Sequence, residues 1–273
     1  MEENRKRHEI INAPYNPVTG LGAVGERKKI SIKDSPIGDM YLPVELIKEN
    51  LFIRRLAKYG FKGYIIRFIK EVEYSEEALN QLWIEFIKYR IIYDFEYWAY
   101  SFIFIKDKVS PKDIPFKLNR AQRRVLNKLE KLRKAGKPIK FILLKARQWG
   151  GSTLVQIYML WIMLVHRRNW NTVICGDVET QSRNVRAMIT KALNKYPSYL
   201  LGETVKFTPF EGSSKNKVIQ NTNCVVSIGS FQKPDTLRSG DISGAHLTEI
   251  GLWRATPGKK PEDLIQSISG SIY

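Results

Sequence analysis

Cysteine is scarce in this chain: there are two in 273 residues, Cys175 and Cys224. Both lie in apolar stretches, "NTVICGD" and "CVVSIG". A disulfide framework is therefore excluded, and a reducing compartment with both thiols in the core is expected. Long apolar runs are missing too. The longest, "LVQIYMLWIMLV", is about twelve residues and contains Gln156, short of the roughly 18 that a membrane span needs. The opening "MEENRKRHEI" lacks the apolar stretch of a secretory signal. No cluster of Asp, Glu and His has the spacing of a metal centre. Acidic residues are few where the chain is most basic. Residues 1–110 hold 18 Lys and Arg against 16 Asp and Glu, whereas residues 111–273 hold 27 against 11, and the net charge is +18. So uneven a field points to a polyanion, nucleic acid first, bound in a way that weakens steeply with salt. What is present otherwise, 43% hydrophobic and 11% aromatic residues, is the composition of a folded protein with a sizeable core.

Residues 1–40 ("INAPYNPVTGLGAVGERKK" among them) show no sustained period and read as an irregular arm. From residue 41 the pattern turns helical to about residue 104. "PVELIKENLFIRRLAKYG" spaces Leu46, Leu51 and Ile53 among charges, and Gly60 is expected to stop it. "SEEALNQLWIEFIKYRIIYDFEYWAYSFIFI" begins with Ser75 as N-cap and acidic residues in its first turn. "VSPKDIP" reads as a linker, because two prolines interrupt any regular element.

Residues 105–273 have the texture of a single α/β domain. "NRAQRRVLNKLEKLRKAG" is a basic helix ending at Gly136. "PIKFILLK" has the composition of a strand buried on both faces. A strongly apolar helix follows ("STLVQIYMLWIMLVHRR"), then a buried strand ("WNTVICGD") and a second helix ("TQSRNVRAMITKALNKY"). "NKVIQNTNCVVSIGS" reads as a β-hairpin, and "SGAHLTEIGLW" as a short strand reaching Glu249. Strands alternating with helices predict a mostly parallel sheet flanked by helices, preceded by a helical N-terminal extension.

Between the first strand and the apolar helix lies "LLKARQWGGSTLVQ". The phosphate-binding pattern G-x-x-x-x-G-K-[ST] is nearly met, except that Lys145 stands where the first glycine belongs and Gly151 stands where the lysine belongs. Strand, glycine-bearing turn, hydroxyl and helix N-terminus are the context in which backbone N–H groups cradle phosphates. Gly150 and Gly151 permit the turn, and Ser152, with Thr153 behind it, is placed for a magnesium ion. Lys145 and Arg147 are the cations available to the phosphates. Taken alone, the stretch is explained as well by a structural turn as by a phosphate loop. Two further residues bear on it. Gln122, upstream on a helix, has the amide that pairs with an adenine edge. Glu249, at the end of a short apolar run, is placed to activate water for attack on a γ-phosphate. Asp241 reads as a loop residue, Asp177 as a helix cap, and His166 and His246 as structural.

Together these segments resemble the ATPase domain of tailed-phage terminase large subunits, over residues from about 95 to 270. "IPFKLNRAQRRVL" resembles that family's approach to an adenine-reading glutamine, here Gln122. "KARQWGGST" resembles its variant phosphate loop, with the lysine at the start (Lys145) and an arginine in the middle (Arg147). "LRSGDISGAHLTEIGLW" is similar to the run from a family arginine, here Arg238, into the second ATP motif, with Thr248 in place of the usual aspartate before Glu249. The resemblance implies a P-loop ATPase of the additional-strand type that uses ATP and Mg²⁺ to move double-stranded DNA into a procapsid. It implies a nucleotide site of Gln122, Lys145, Arg147, Gln148, Gly150, Gly151, Ser152 and Thr153. Glu249 would act on water beside Lys145 and Arg147, and Ser152 would meet the metal. It further implies a homo-oligomeric ring, a portal protein and a small terminase subunit as partners, and the host cytoplasm as location. The family's coupling strand and nuclease would lie beyond Tyr273, so no nuclease activity is expected of this stretch. The competing readings are a helicase-like nucleic-acid translocase and a DNA-binding module whose nucleotide loop is inactive.

Overall fold

A computed structural model describes residues 14–22, 25–69, 74–107, 109–144, 149–234 and 241–272. The chain divides into two compact units. One runs up to Phe102 and includes Pro115–Lys117; the other comprises Ile103–Ile114 and everything from Leu118 on.

The first unit opens with a hairpin where an irregular arm was expected. Strands β1 (Arg27–Ser31) and β2 (Asp39–Pro43) pair antiparallel, from Arg27 opposite Pro43 to Ser31 opposite Asp39. The sequence hides it because "RKKIS" carries no apolar alternation; the buried face comes from Met40 and Leu42 of β2. Helices α1 (Val44–Glu49), α2 (Leu51–Phe68), α3 (Glu76–Tyr93) and α4 (Phe95–Phe102) follow. Gly60 does not stop α2 but kinks it, with φ 73° and ψ 173°, and the helix resumes. Only glycine suits the position: φ is positive, and a Cβ there would come within 2.9 Å of the Lys33 carbonyl oxygen. Ser75 caps α3 as expected, accepting from the Ala78 N–H at 3.1 Å. Asp94 separates α3 from α4. Its carboxylate accepts from Arg27 at 2.7 and 2.9 Å, from Arg90 Nε at 3.1 Å and from the Tyr97 N–H at 3.3 Å.

In the second unit β3 (Phe104–Lys106) and β4 (Asp113–Pro115) form a two-stranded ribbon where a linker was expected. Helix α5 (Arg120–Lys134) is followed by α6 (Gly151–Trp161), which runs into a π-helical turn, Ile162–His166. Then come β5 (Asn171–Gly176), α7 (Glu179–Leu193), β6 (Phe207–Phe210), β7 (Ser213–Ile219), β8 (Cys224–Ser230), β9 (Gly244–Leu247) and α8 (Pro261–Gly270). The strands form one sheet in the order β6-β7-β8-β5-β9. It is mixed, not mostly parallel: β5 runs parallel to β8 and β9, while β6, β7 and β8 alternate in direction. The difference from expectation has a local cause. "PIKFILLK" contributes no strand; residues 137–144 are irregular, with Ile142 97% and Leu144 99% exposed. Among the described residues β9 is therefore paired on one side only.

The two faces of β5 are covered differently, following the period-2 alternation of a strand. Val173 and Cys175 join Phe231, Ile242, Trp253, Leu264 and Ile268 in a core that takes in α8. On the other side the Thr172 hydroxyl lies 4.0 Å from Met163 Sδ in the π turn. The hairpin of β7 and β8 stands where the alternating pattern placed it. Both cysteines are buried core residues, and burial pushes the Cys175 thiol up to about 12. No helix among the described residues is long and apolar enough to cross a membrane.

Candidate functional site

In an open sheet of parallel strands, ligands settle outside the carboxyl ends of the strands. Here β5, β8 and β9 end together, and the residues that follow them interlock. The Thr248 N–H donates to the Cys175 carbonyl at 2.8 Å, and the Phe231 N–H donates to the Gly176 carbonyl at 2.9 Å. Asp177 is not the cap of α7; that position is Val178, which makes no side-chain cap bond. Instead the Asp177 carboxylate accepts from Gln232 Nε2 at 3.0 Å, and its N–H donates to Gln181 Oε1 at 3.0 Å. Ser182, fully buried, accepts from the Gly176 N–H at 2.7 Å and donates to the Gly229 carbonyl at 2.6 Å. A Cβ on Gly176 would meet the Gln181 side chain at 3.0 Å, so a larger residue there would have to displace Gln181 slightly.

Glu249 stands exposed at this edge, two residues past the end of β9. Its backbone is left-handed, φ 56° and ψ 36°, and it starts the 3-10 turn Ile250–Leu252. A non-glycine residue held there costs on the order of 1–3 kcal/mol, which neighbouring structure must offset, and such residues cluster at functional sites. Its carboxylate accepts from Gln181 Nε2 at 3.2 Å. Gln181, which nothing in the sequence singles out, thus fixes both the turn after β5 and the acid after β9. Thr248 is buried beneath them. Asp241 is an exposed loop residue, as expected.

The second half of the glycine loop is held from α5. Gly150 is the N-cap of α6 in the left-handed region, φ 84°, with no side-chain cap, so the first-turn N–H groups of α6 have no capping side chain. Asn119 and Gln122 form a capping box at the start of α5 and reach from it to the loop. Asn119 Nδ2 donates to the Trp149 carbonyl at 3.1 Å, and Gln122 Nε2 donates to the Gly150 carbonyl at 3.0 Å. Gln122 Oε1 accepts from the Asn119 N–H at 2.9 Å, and the residue is 4% exposed. The structure therefore gives Gln122 a bracing role that its adenine-edge reading did not include. A side chain on Gly150 would collide with it, since a Cβ would lie 2.7 Å from Gln122 Nε2. Ser152 and Thr153 are half-buried in the first turn of α6. Lys145, Arg147, Gln148 and Arg238 lie outside the described residues.

One buried contact joins the loop helix to the acidic strand. Gln156, one turn past Ser152, is fully buried, and its Nε2 donates to His246 Nδ1 at 2.6 Å. His246 is three residues before Glu249, so α6 and the end of β9 are tied close to both candidate groups. His166 is structural: it meets the Trp161 ring edge-on at 4.3 Å, and burial, reinforced by Arg133, pushes its pKa down to about 4.

The α6 first turn, which has no side-chain cap from Gly150, and the Ser152 and Thr153 hydroxyls are groups of the kind that bind phosphates, and an exposed carboxylate lies just past β9. Among the described residues no group of His, Cys, Asp and Glu could hold a metal by itself. A magnesium ion would have to arrive with phosphate oxygens as ligands, the usual habit of that ion.

No protein-family model matches the chain, and no curated protein does. Among solved structures the chain is similar to the crystal structure of the HK97 bacteriophage large terminase, at TM-score 0.49 and 20% identity. The likeness covers 66% of this chain and 35% of that one, so the chain spans about a third of that terminase's length. At that distance the likeness carries no functional weight, and function is argued from the chain's own residues.

Proposed function

We propose that this chain is a P-loop ATPase of the large-terminase type, hydrolysing ATP to translocate double-stranded DNA. The observation that carries the reading is the juxtaposition of a glycine-led helix with an exposed, left-handed Glu249 two residues past the end of β9. Gly150, Gly151, Ser152 and Thr153 give phosphates their backbone and hydroxyl contacts. Lys145, Arg147 and Gln148 complete the loop, with the two cations neutralising phosphate charge. Ser152 would hold a magnesium ion arriving with the nucleotide, and that ion would supply Lewis-acid stabilisation at the phosphates. Glu249, oriented by Gln181, takes the proton of the attacking water, a role worth typically 10²–10⁴-fold. Asn119 and Gln122 hold the loop in register. DNA, a ring of like subunits, a portal protein and a small terminase subunit are the partners this reading entails.

The test is magnesium-dependent ATP binding and turnover by the wild type, Glu249→Gln and Lys145→Ala. Glu249→Gln is expected to bind ATP as the wild type does and to lose turnover by at least about 100-fold. Lys145→Ala is expected to weaken binding itself. A wild type that binds no magnesium nucleotide would make "KARQWGGST" a structural turn. The replacement of the usual aspartate by Thr248 favours that second reading, a DNA-binding module with an inactive loop.

A further inference from the structure

Helix α7 has a second face. Arg183, Arg186, Ala187, Thr190, Lys191, Asn194 and Lys195 fall at helical spacing, one stripe over about three turns that continues past the helix end. The apolar face of α7 buries Val185, Ile189, Ala192 and Leu193, which leaves this polar stripe outward. Here it lines an open groove of about 600 Å³, closed on one side by Lys217 of β7 and on another by Asp113 of the β3–β4 ribbon. At 1.5 Å per residue the stripe is about 18 Å long.

The charges are organised, not scattered. Asp113 holds both Lys191, at 2.5 Å, and Lys195, at 3.0 Å. Glu179 holds both Arg183 and Lys215, each at 2.8 Å. Each acid fixes two cations and neutralises only one of them. Arg186 is 6% exposed and donates to the carbonyls of Lys215 and Ser214, at 2.5 and 2.8 Å. Among the described residues no carboxylate bonds it. Burial, with the Arg183 charge beside it, holds its pKa below the usual arginine value. The two carbonyls and the nearby Glu179 charge offset part of that burial, so Arg186 braces α7 against β7 beneath the groove.

We propose that this groove binds the sugar-phosphate backbone of double-stranded DNA. It rests on the DNA-translocating reading above and says where the chain grips its substrate. The length suits a run of successive phosphates better than a single one, and Thr190 and Asn194 add neutral hydrogen-bonding groups of the kind that contact phosphates. Among the described residues none of the groove's lining side chains is aromatic; Phe104 and Phe207 lie behind Lys195 and Lys217, at 5.5 and 5.1 Å from their ammonium groups. Single strands are commonly held by stacking on aromatics, so their absence from the lining favours the duplex. The same helix carries Gln181 two residues before Arg183, which links the gripping face to the acid it positions at Glu249.

The experiment uses the full chain and a short duplex labelled for fluorescence anisotropy, titrated across a salt series. The test variant is Lys191→Glu/Lys195→Glu/Lys217→Glu, with the three residues changed to Gln as a milder companion. The control reverses three exposed cations of the first unit, Lys28, Lys58 and Lys62. The groove variant is expected to bind duplex at least tenfold more weakly than the control. The slope of log K against log salt should shrink by about 0.9 for each phosphate that is no longer neutralised. Unchanged melting and ATP binding would show that the fold survives. If groove and control variants weaken binding equally, the charge acts diffusely and the groove proposal falls while the function stands. If the wild type binds no duplex, both the groove and the DNA half of the function fall, whatever its ATP turnover. A preference for single strands would overturn the duplex assignment.

Discussion

At the residue scale, Glu249 was legible because it ends a short apolar run, and a carboxylate in that position has few structural uses. Gln181 was not legible. It is a polar residue in the first turn of a helix, and its partner lies 68 positions away along the chain. Gln122 shows the reverse: its place before the loop was readable, but the bond from its amide to the Gly150 carbonyl depends on how α5 meets the loop. If Gln181 positions Glu249, then Gln181→Ala should lower kcat for ATP about tenfold and leave KM nearly unchanged. Steady-state kinetics with a parallel melting curve checks this. A fall in Tm that matches the fall in activity would mean that only the β5–α7 turn had been disturbed.

At the element scale, strands and helices that bury a face through their own alternation were read correctly. The β7–β8 hairpin, β5 and α7 are of this kind. Elements that borrow their apolar face from a partner were missed, as β1 was, since only β2 shows why "RKKIS" pairs. The run 138–144 is the reverse case. Its composition is that of a buried strand, yet Ile142 and Leu144 lie in water. Burying one such side chain is worth about 1.5–3 kcal/mol, and β9 has an unpaired side among the described residues. That gain is not realised while both side chains are exposed. Ile142→Ser/Leu144→Ser is therefore expected to change stability by no more than about 0.5 kcal/mol, read as an unchanged midpoint in urea unfolding. A fall of about 3 kcal/mol would show instead that the two side chains are buried.

At the scale of the whole molecule, the uneven charge separates two kinds of electrostatics. Residues 111–273 carry 27 of the 45 basic residues, most of them on the surface, so their contacts should fade as salt rises. The first unit is nearly neutral, and its strongest ionic feature is buried. Burial alone would push the Asp94 carboxyl up. The Arg27 guanidinium outweighs it through charge and two hydrogen bonds, with Arg90 adding to the effect, and the pKa is held down at about 2. A carboxyl depressed in the folded state stabilises above its unfolded pKa of about 4, and that stability is lost as pH falls through the folded value. The contribution is on the order of 2 kcal/mol, present at pH 7 and fading between about pH 4 and pH 2. Asp94→Asn should therefore cost about 3–5 kcal/mol at pH 7, because two guanidinium groups are left buried without their carboxylate. Its remaining stability should fall less steeply in acid than that of the wild type. Raising salt to about 0.5 M should leave the Asp94 contribution nearly intact while weakening duplex binding, since buried pairs are screened far less than exposed charges. Melting curves from about pH 7 to pH 2.5 at two salt concentrations measure the Asp94 effect, and duplex titrations at the same salts measure the other. An acid slope in Asp94→Asn equal to that of the wild type would assign the acid sensitivity to other carboxylates.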